Sequence, residues 1–245
     1  MLGFILSKMQ MLLFATGIFV VAILMYNFVS GLELRDIASS QLILESKIIE
    51  EQLGVDSICS FKSIYLPERI NYGITNTSLL YDLDFSKQST PTKNILTLSL
   101  VEHGTKGIIY SKSIETELTV FLLSPEFMFD NEMVSDSYLN ADTISLYPRT
   151  ASKGPQAMAP NSFIALKNGE KSELYIIPCS SMIKESNSPS NCIANIIRVG
   201  CFALKKEKGT PADSDIIPTC FDITRELGER APVKWIDCKN YGYAQ

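Results

Sequence analysis

The sequence predicts an α+β protein: one long N-terminal helix, transmembrane and then amphipathic, followed by an extracytoplasmic antiparallel β-rich domain of sandwich-like build. Three observations predict it. An uncharged apolar run occupies Met9 to Leu32. A helical stripe continues beyond it as far as Gly54. After Gly54 the hydrophobic rhythm drops to period two, the spacing of half-buried strands.

The apolar run holds 24 residues without Asp, Glu, Lys or Arg. As a helix it is about 36 Å long, enough to cross a hydrocarbon core of about 30 Å with some tilt. A secretory h-region is shorter, about 7–15 residues, and ends at a small-x-small site. Val29-Ser30-Gly31 and Ala38-Ser39-Ser40 match that site poorly. A retained anchor is therefore expected rather than a cleaved signal or a buried soluble helix. Lys8 lies before the run, and Glu33, Arg35 and Asp36 lie after it. That bias favours the amino end inside. The expected location is the cell membrane, single-pass, with the N-terminus cytoplasmic and the C-terminal domain outside. The expected division is a transmembrane segment over 1–32, an amphipathic stem over 33–54 and a β-rich domain over 55–245.

In the stem, Leu34, Ile37, Gln41, Leu44 and Ile48 recur at alternating three- and four-residue steps. Ala38, Leu42, Ile49 and Leu53 widen the stripe, while Glu33, Asp36, Glu45, Lys47, Glu50 and Glu51 mostly lie off it. Gly54 is a stop signal just past the end. The stripe can pack on the chain's own outer domain or on neighbouring copies.

Strand patterns follow at 63–66, 79–85, 94–101, 107–112, 115–123, 143–147, 162–167, 173–178, 195–204 and 233–238. Glu102-His103-Gly104-Thr105 reads as a hairpin loop. Helical patterns between strands are scarce, which argues against a Rossmann-like layout. Segments 147–161, 184–191 and 205–215 are rich in Pro, Ser and Gly and read as loops.

Composition excludes some roles. A formal net charge of −5 over 245 residues, with no basic patch interleaved with aromatics, argues against nucleic acid as a partner. Lys205, Lys206 and Lys208 form the densest basic run, broken by Glu207, and read as a solvated loop. Six cysteines, Cys59, Cys179, Cys192, Cys201, Cys220 and Cys238, are disulfide candidates in an oxidising compartment. Spacing does not choose among the 15 pairings. Without a CxxC, and with His103 as the sole histidine, the usual zinc site is not expected. Asn76-Thr77-Ser78 is a glycosylation sequon.

Catalytic signals are thin. Ser181-Met182-Ile183-Lys184 matches S-x-x-K, but the partner motifs of Ser/Lys acyl-transfer enzymes are missing. His103 has no nucleophile elbow to serve, and a turn-exposed histidine is the expectation. Asp130, Asn131, Glu132, Asp136, Asn140 and Asp142 offer hard oxygen ligands for calcium, without EF-hand spacing. Asp82-Leu83-Asp84 alternates, which places Leu83 inward and both carboxylates outward. No catalytic residue, metal ligand or cofactor is assigned.

The layout, with the residues from Ser7 to Val29, resembles a type IV pilin or archaeal pilin-like membrane-anchored surface protein. Lys8-Met9-Gln10 stands where archaeal prepilins are processed, with Met9 in the small-residue position. Gly3-Phe4 resembles a bacterial processing point, with Lys8 where the usual acidic residue falls. The resemblance implies a structural or assembly role, with the N-terminal helix meeting the lipid bilayer and copies of itself or other pilin-like subunits. It would make Gln10 or Phe4 the mature N-terminus. The competing expectations are a monomeric anchored binding module for a cell-surface partner or polysaccharide, and an anchored hydrolase.

Overall fold

The computed structural model describes residues 2–73, 77–126, 134–148, 161–179, 191–222 and 232–241. Helix α1 covers Leu2–Gly54 without a break, a rod about 80 Å long. No proline interrupts it. From Ser7 to Leu32 its side chains are bare, Ser30 alone being half-buried. This stretch is long and apolar enough to cross a membrane. Beyond it, one face enters the core through Ala38, Leu42 and Ile49.

That face is turned by about one residue from the expected line. Leu44, expected on the stripe, is 62% exposed. Glu45, expected off it, is 3% exposed. Ala38 is small enough to let the helix backbone sit close to its neighbours, so the Ala38–Leu42–Ile49 row becomes the centre. Leu34, Ile37, Ile48 and Leu53 flank it.

The rest of the chain is β-rich and carries two four-stranded sheets. The first has the order β1-β9-β10-β7, with β1 at Cys59–Tyr65, β7 at Thr119–Leu122, β9 at Ser162–Asn168 and β10 at Glu173–Cys179. The second has the order β6-β5-β4-β8, with β4 at Tyr81–Ser89, β5 at Asn94–Glu102, β6 at Ile108–Thr116 and β8 at Thr143–Leu146. A separate small hairpin joins β2 (Ile70–Tyr72) to β3 (Thr77–Leu79). The expected hairpin loop at Glu102–Thr105 does connect β5 to β6.

Among the described residues the strand-to-strand pairings are antiparallel except β7 with β10, which is parallel. The expected single strand at 115–123 breaks at Glu117 and Leu118, where the chain leaves the second sheet for the first. Leu118 N–H donates to Thr116 Oγ1 (3.1 Å) at that break. The connection from β7 to β10 is long, which is what a parallel pair requires.

Strands β9 and β10 are buried on both faces. Phe163, Ala165, Leu174 and Ile176 join α1 and the second sheet in one core. Phe85 and Phe163 meet edge-on at 5.0 Å across it. Ile164, Leu166, Tyr175 and Ile177 point the other way, into a second core under helix α2 (Asn191–Lys208).

Helix α2 corrects the strand expected at 195–204. Cys192, Ile196, Val199 and Leu204 are buried and fall on one helical face. The β-branched run Ile196-Ile197 imitates a strand, but tertiary packing at period 3.6 decides. Lys205, Lys206 and Lys208 consequently stand on the last turn of α2 rather than in a loop. There, cations sit favourably against the helix C-terminus. The strand expected at 233–238 is a single helical turn, Trp235–Cys238, preceded by an isolated bridge from Lys234 to Ile216.

All six cysteines are paired: Cys59 with Cys220, Cys179 with Cys192, and Cys201 with Cys238. The first ties the start of β1 to the Thr219–Phe221 turn. The second ties the end of β10 to the start of α2. The third ties the middle of α2 to the Trp235–Cys238 turn.

Candidate functional site

The junction between α1 and the β-rich head carries the most unusual chemistry among the described residues. The buried face of α1 is apolar except at Glu45 and Ser46. Ser46 resolves its hydroxyl locally, donating to Ile43 O (2.9 Å). Glu45 depends on its neighbours. Gln41 Nε2 donates to Glu45 Oε1 (3.1 Å) and to the Tyr81 hydroxyl oxygen (2.9 Å). The Tyr81 hydroxyl in turn donates to Pro67 O (2.7 Å). Glu45 Oε2 has no hydrogen-bond partner among the described residues.

Burial therefore governs this carboxyl. It pushes Glu45 up to about 7, against the opposing pull of the Gln41 hydrogen bond. Burial also pushes the Tyr81 hydroxyl up, and the nearby Glu45 adds to it.

Beside this chain lies an open groove of about 600 Å³. Ile37, Leu44, Ile48, Ile64 and Pro67 supply apolar wall, and Asp36 and Glu45 are its only ionisable carboxylates. No basic residue lines it. An apolar group bearing a hydrogen-bond donor or a positive charge matches this lining.

A second polar cluster sits at the β5–β6 hairpin. Asp82 is completely buried. His103 Nδ1 lies 2.7 Å from Asp82 Oδ1, and Lys106 Nζ donates to Asp82 Oδ2 (3.0 Å). The turn makes this possible: Gly104 (φ +99) and Lys106 (φ +60) take left-handed conformations that fold the lysine back. The hydrogen bond to Asp82 raises the Lys106 ammonium above its ordinary value. Tyr147 stands edge-on to the His103 ring at 5.9 Å. Leu83 faces inward as expected, but Asp82 is not solvated; the hairpin covers it. His103 is correspondingly a partner of a buried carboxylate rather than a bare turn residue. Nothing in the local sequence pattern signals that pairing, because it joins residues 21 apart across a strand pair.

A third hollow, of about 260 Å³, lies between α2 and the first sheet. Phe121 and Tyr175 stack at 4.9 Å in its wall. Its lysines are already paired: Lys171 with Glu207 (3.3 Å) and Lys206 with Asp136 (2.8 Å). The Tyr175 hydroxyl donates to Glu173 Oε2 (2.7 Å).

Among the other sequence candidates, Asn76, Asp130, Asn131, Glu132 and the Ser181–Lys184 motif lie outside the described residues. Asp136 is engaged by Lys206, and Asn140 bridges to Leu122. Among the described residues no group of three His, Cys, Asp or Glu side chains could hold a metal ion. No family model, curated protein or solved structure matches the chain.

Proposed function

We propose that this is a single-pass membrane-anchored surface protein with a structural or assembly role, pilin-like and non-enzymatic. The observation that carries the reading is the division of one unbroken helix. Its first half is bare and apolar, and its second half is built into the core of the head. Such a rod transmits position from a bilayer to a domain with no hinge between them. Three disulfides fit a head held in an oxidising space, with the N-terminus on the cytoplasmic side. Both sheets contribute to one core with α1, and we read the head as sandwich-like.

Intact-mass analysis of membrane-extracted protein, with and without reduction, tests this. The expected result is a chain that retains Met9–Leu32 or begins at Gln10 or Phe4, and gains two hydrogens per bridge on reduction. A soluble chain beginning beyond Leu32 would overturn it.

The acid-lined groove favours a second reading, an anchored monomeric binding module. An intact Met1 in a monomer, with no filament, would favour that module over the assembly role.

A further inference from the structure

We propose that the groove between α1 and the end of β1 is a docking site for one amphipathic helix of a different chain, a helix with apolar residues at heptad spacing and a lysine or arginine that meets Glu45. The inference rests on the anchored reading above and names the partner that the groove would take.

The α1 wall of the groove has the spacing of a helix seam. Ile37, Gln41, Leu44 and Ile48 line it at steps of four, three and four residues. Those alternating steps are a heptad seam, over about 16 Å of helix. The head does not absorb this row. It takes the neighbouring row, Ala38, Leu42 and Ile49, into its core. The seam is left at the rim, with Leu44 62% exposed and Ile37, Gln41 and Ile48 half-buried. Across the groove, Ile64 and Pro67 supply the opposite apolar wall.

Charge selects the occupant. Asp36 and Glu45 are the carboxylates of the lining, and no basic side chain there answers them. Glu45 is buried; its Oε1 accepts from Gln41 (3.1 Å), while its Oε2 lacks a donor among the described residues. A buried carboxylate oxygen without a donor is costly, and an ammonium or guanidinium supplies what is missing. A second copy presenting the same row would set Asp36 and Glu45 against their own counterparts, a like-charge contact that disfavours self-pairing. A polar residue at one seam position fixes the register of such a pair. Gln41 stands at that position, held by the Tyr81 hydroxyl oxygen (2.9 Å).

The test uses the full chain in phosphatidylcholine nanodiscs at pH 8, above the raised Glu45 value. The probe is a fluorescent peptide with leucine at both seam positions of successive heptads and one central lysine. A twin peptide carries norleucine in place of the lysine. Anisotropy titrations compare the parent with Leu44→Ser, at an exposed position, and with Glu45→Gln, which keeps the acceptor for Gln41. Expected is saturable binding of the lysine peptide, about tenfold weaker for Leu44→Ser. The norleucine twin should bind the parent about tenfold more weakly than the lysine peptide, and Glu45→Gln should erase that difference, as a double-mutant cycle reads it. No binding to the parent beyond that of empty discs overturns the proposal. So does equal binding by Leu44→Ser, or an unchanged lysine preference in Glu45→Gln. A parent dimer in sedimentation that Leu44→Ser dissolves also overturns it, since the occupant is then a second copy. The anchor is read separately: a chain that stays outside the discs defeats the anchored reading, and the same titration on that free chain still decides the groove.

Discussion

At the residue scale, Glu45 is the most sensitive position. Its carboxyl is raised when folded, so the folded chain binds the proton more tightly than the unfolded chain does. Stability is then greatest below the ordinary carboxyl range and falls as pH rises from about 4.5 toward about 7. Glu45→Gln keeps an acceptor for Gln41 and removes the ionisation. The variant should be more stable than the parent at pH 8 by on the order of 3 kcal/mol and equal to it near pH 4. Thermal unfolding in detergent across that range checks it; a pH-independent difference would refute it. Glu45 was legible in part, lying three residues after Leu42 and four before Ile49. A charge at that spacing is expected to face solvent, because carboxylates are seldom buried.

Asp82 supplies a second test at this scale. Removing both partners, as His103→Ala with Lys106→Met, leaves a fully buried carboxylate without them. That should cost about 3–5 kcal/mol in urea unfolding. Asp82→Asn should cost less, because His103 and Lys106 are 33% and 58% exposed and can rehydrate. The reverse order would contradict the pairing.

Among the elements, α2 shows how an adjacent apolar pair misleads. Ile196 and Ile197 are both buried, and two β-branched residues in a row have the local look of a strand. Gly200 reveals how close that packing is. A Cβ there would lie 2.6 Å from Phe221 Cβ and 3.0 Å from Ile217 Cδ1. Gly200→Ala should therefore destabilise by about 1–3 kcal/mol from overpacking, outweighing a helix-propensity gain of about 1 kcal/mol. A higher melting temperature in this variant would show that α2 does not seat on the Thr219–Phe221 turn. The strands were more legible. β4, β5 and β6 alternate because one face meets the core and the other meets solvent or polar pairs such as Thr97 with Ser113 (2.9 Å). The parallel β7–β10 pair was not legible, since pairing partners distant in sequence leave no local trace.

For the whole molecule, the bridges join parts of the head that are distant in sequence. The loops they close span 161, 37 and 13 residues for Cys59–Cys220, Cys201–Cys238 and Cys179–Cys192. Chain entropy assigns them about 5, 4 and 3 kcal/mol in that order. Paired Cys→Ser variants, compared by chemical unfolding, should follow the same ranking. Loss of Cys59–Cys220 should weaken the head most, since it fastens β1, the strand next to α1, to the far end of the chain. The rod was legible in the sequence because a long uncharged run and a helical stripe need no tertiary information. The bridge pairings were not, because spacing alone leaves them degenerate.

The central claim is that the apolar half of α1 stays attached and carries a bridged head across a membrane. Labelling of intact cells with a membrane-impermeant maleimide, before and after an impermeant reductant, tests it most directly. The account predicts no labelling without reductant and labelling of the cysteines after it, on a chain that sediments with the membrane. Labelling without reductant and only after lysis would place a reduced head on the cytoplasmic side and contradict the account.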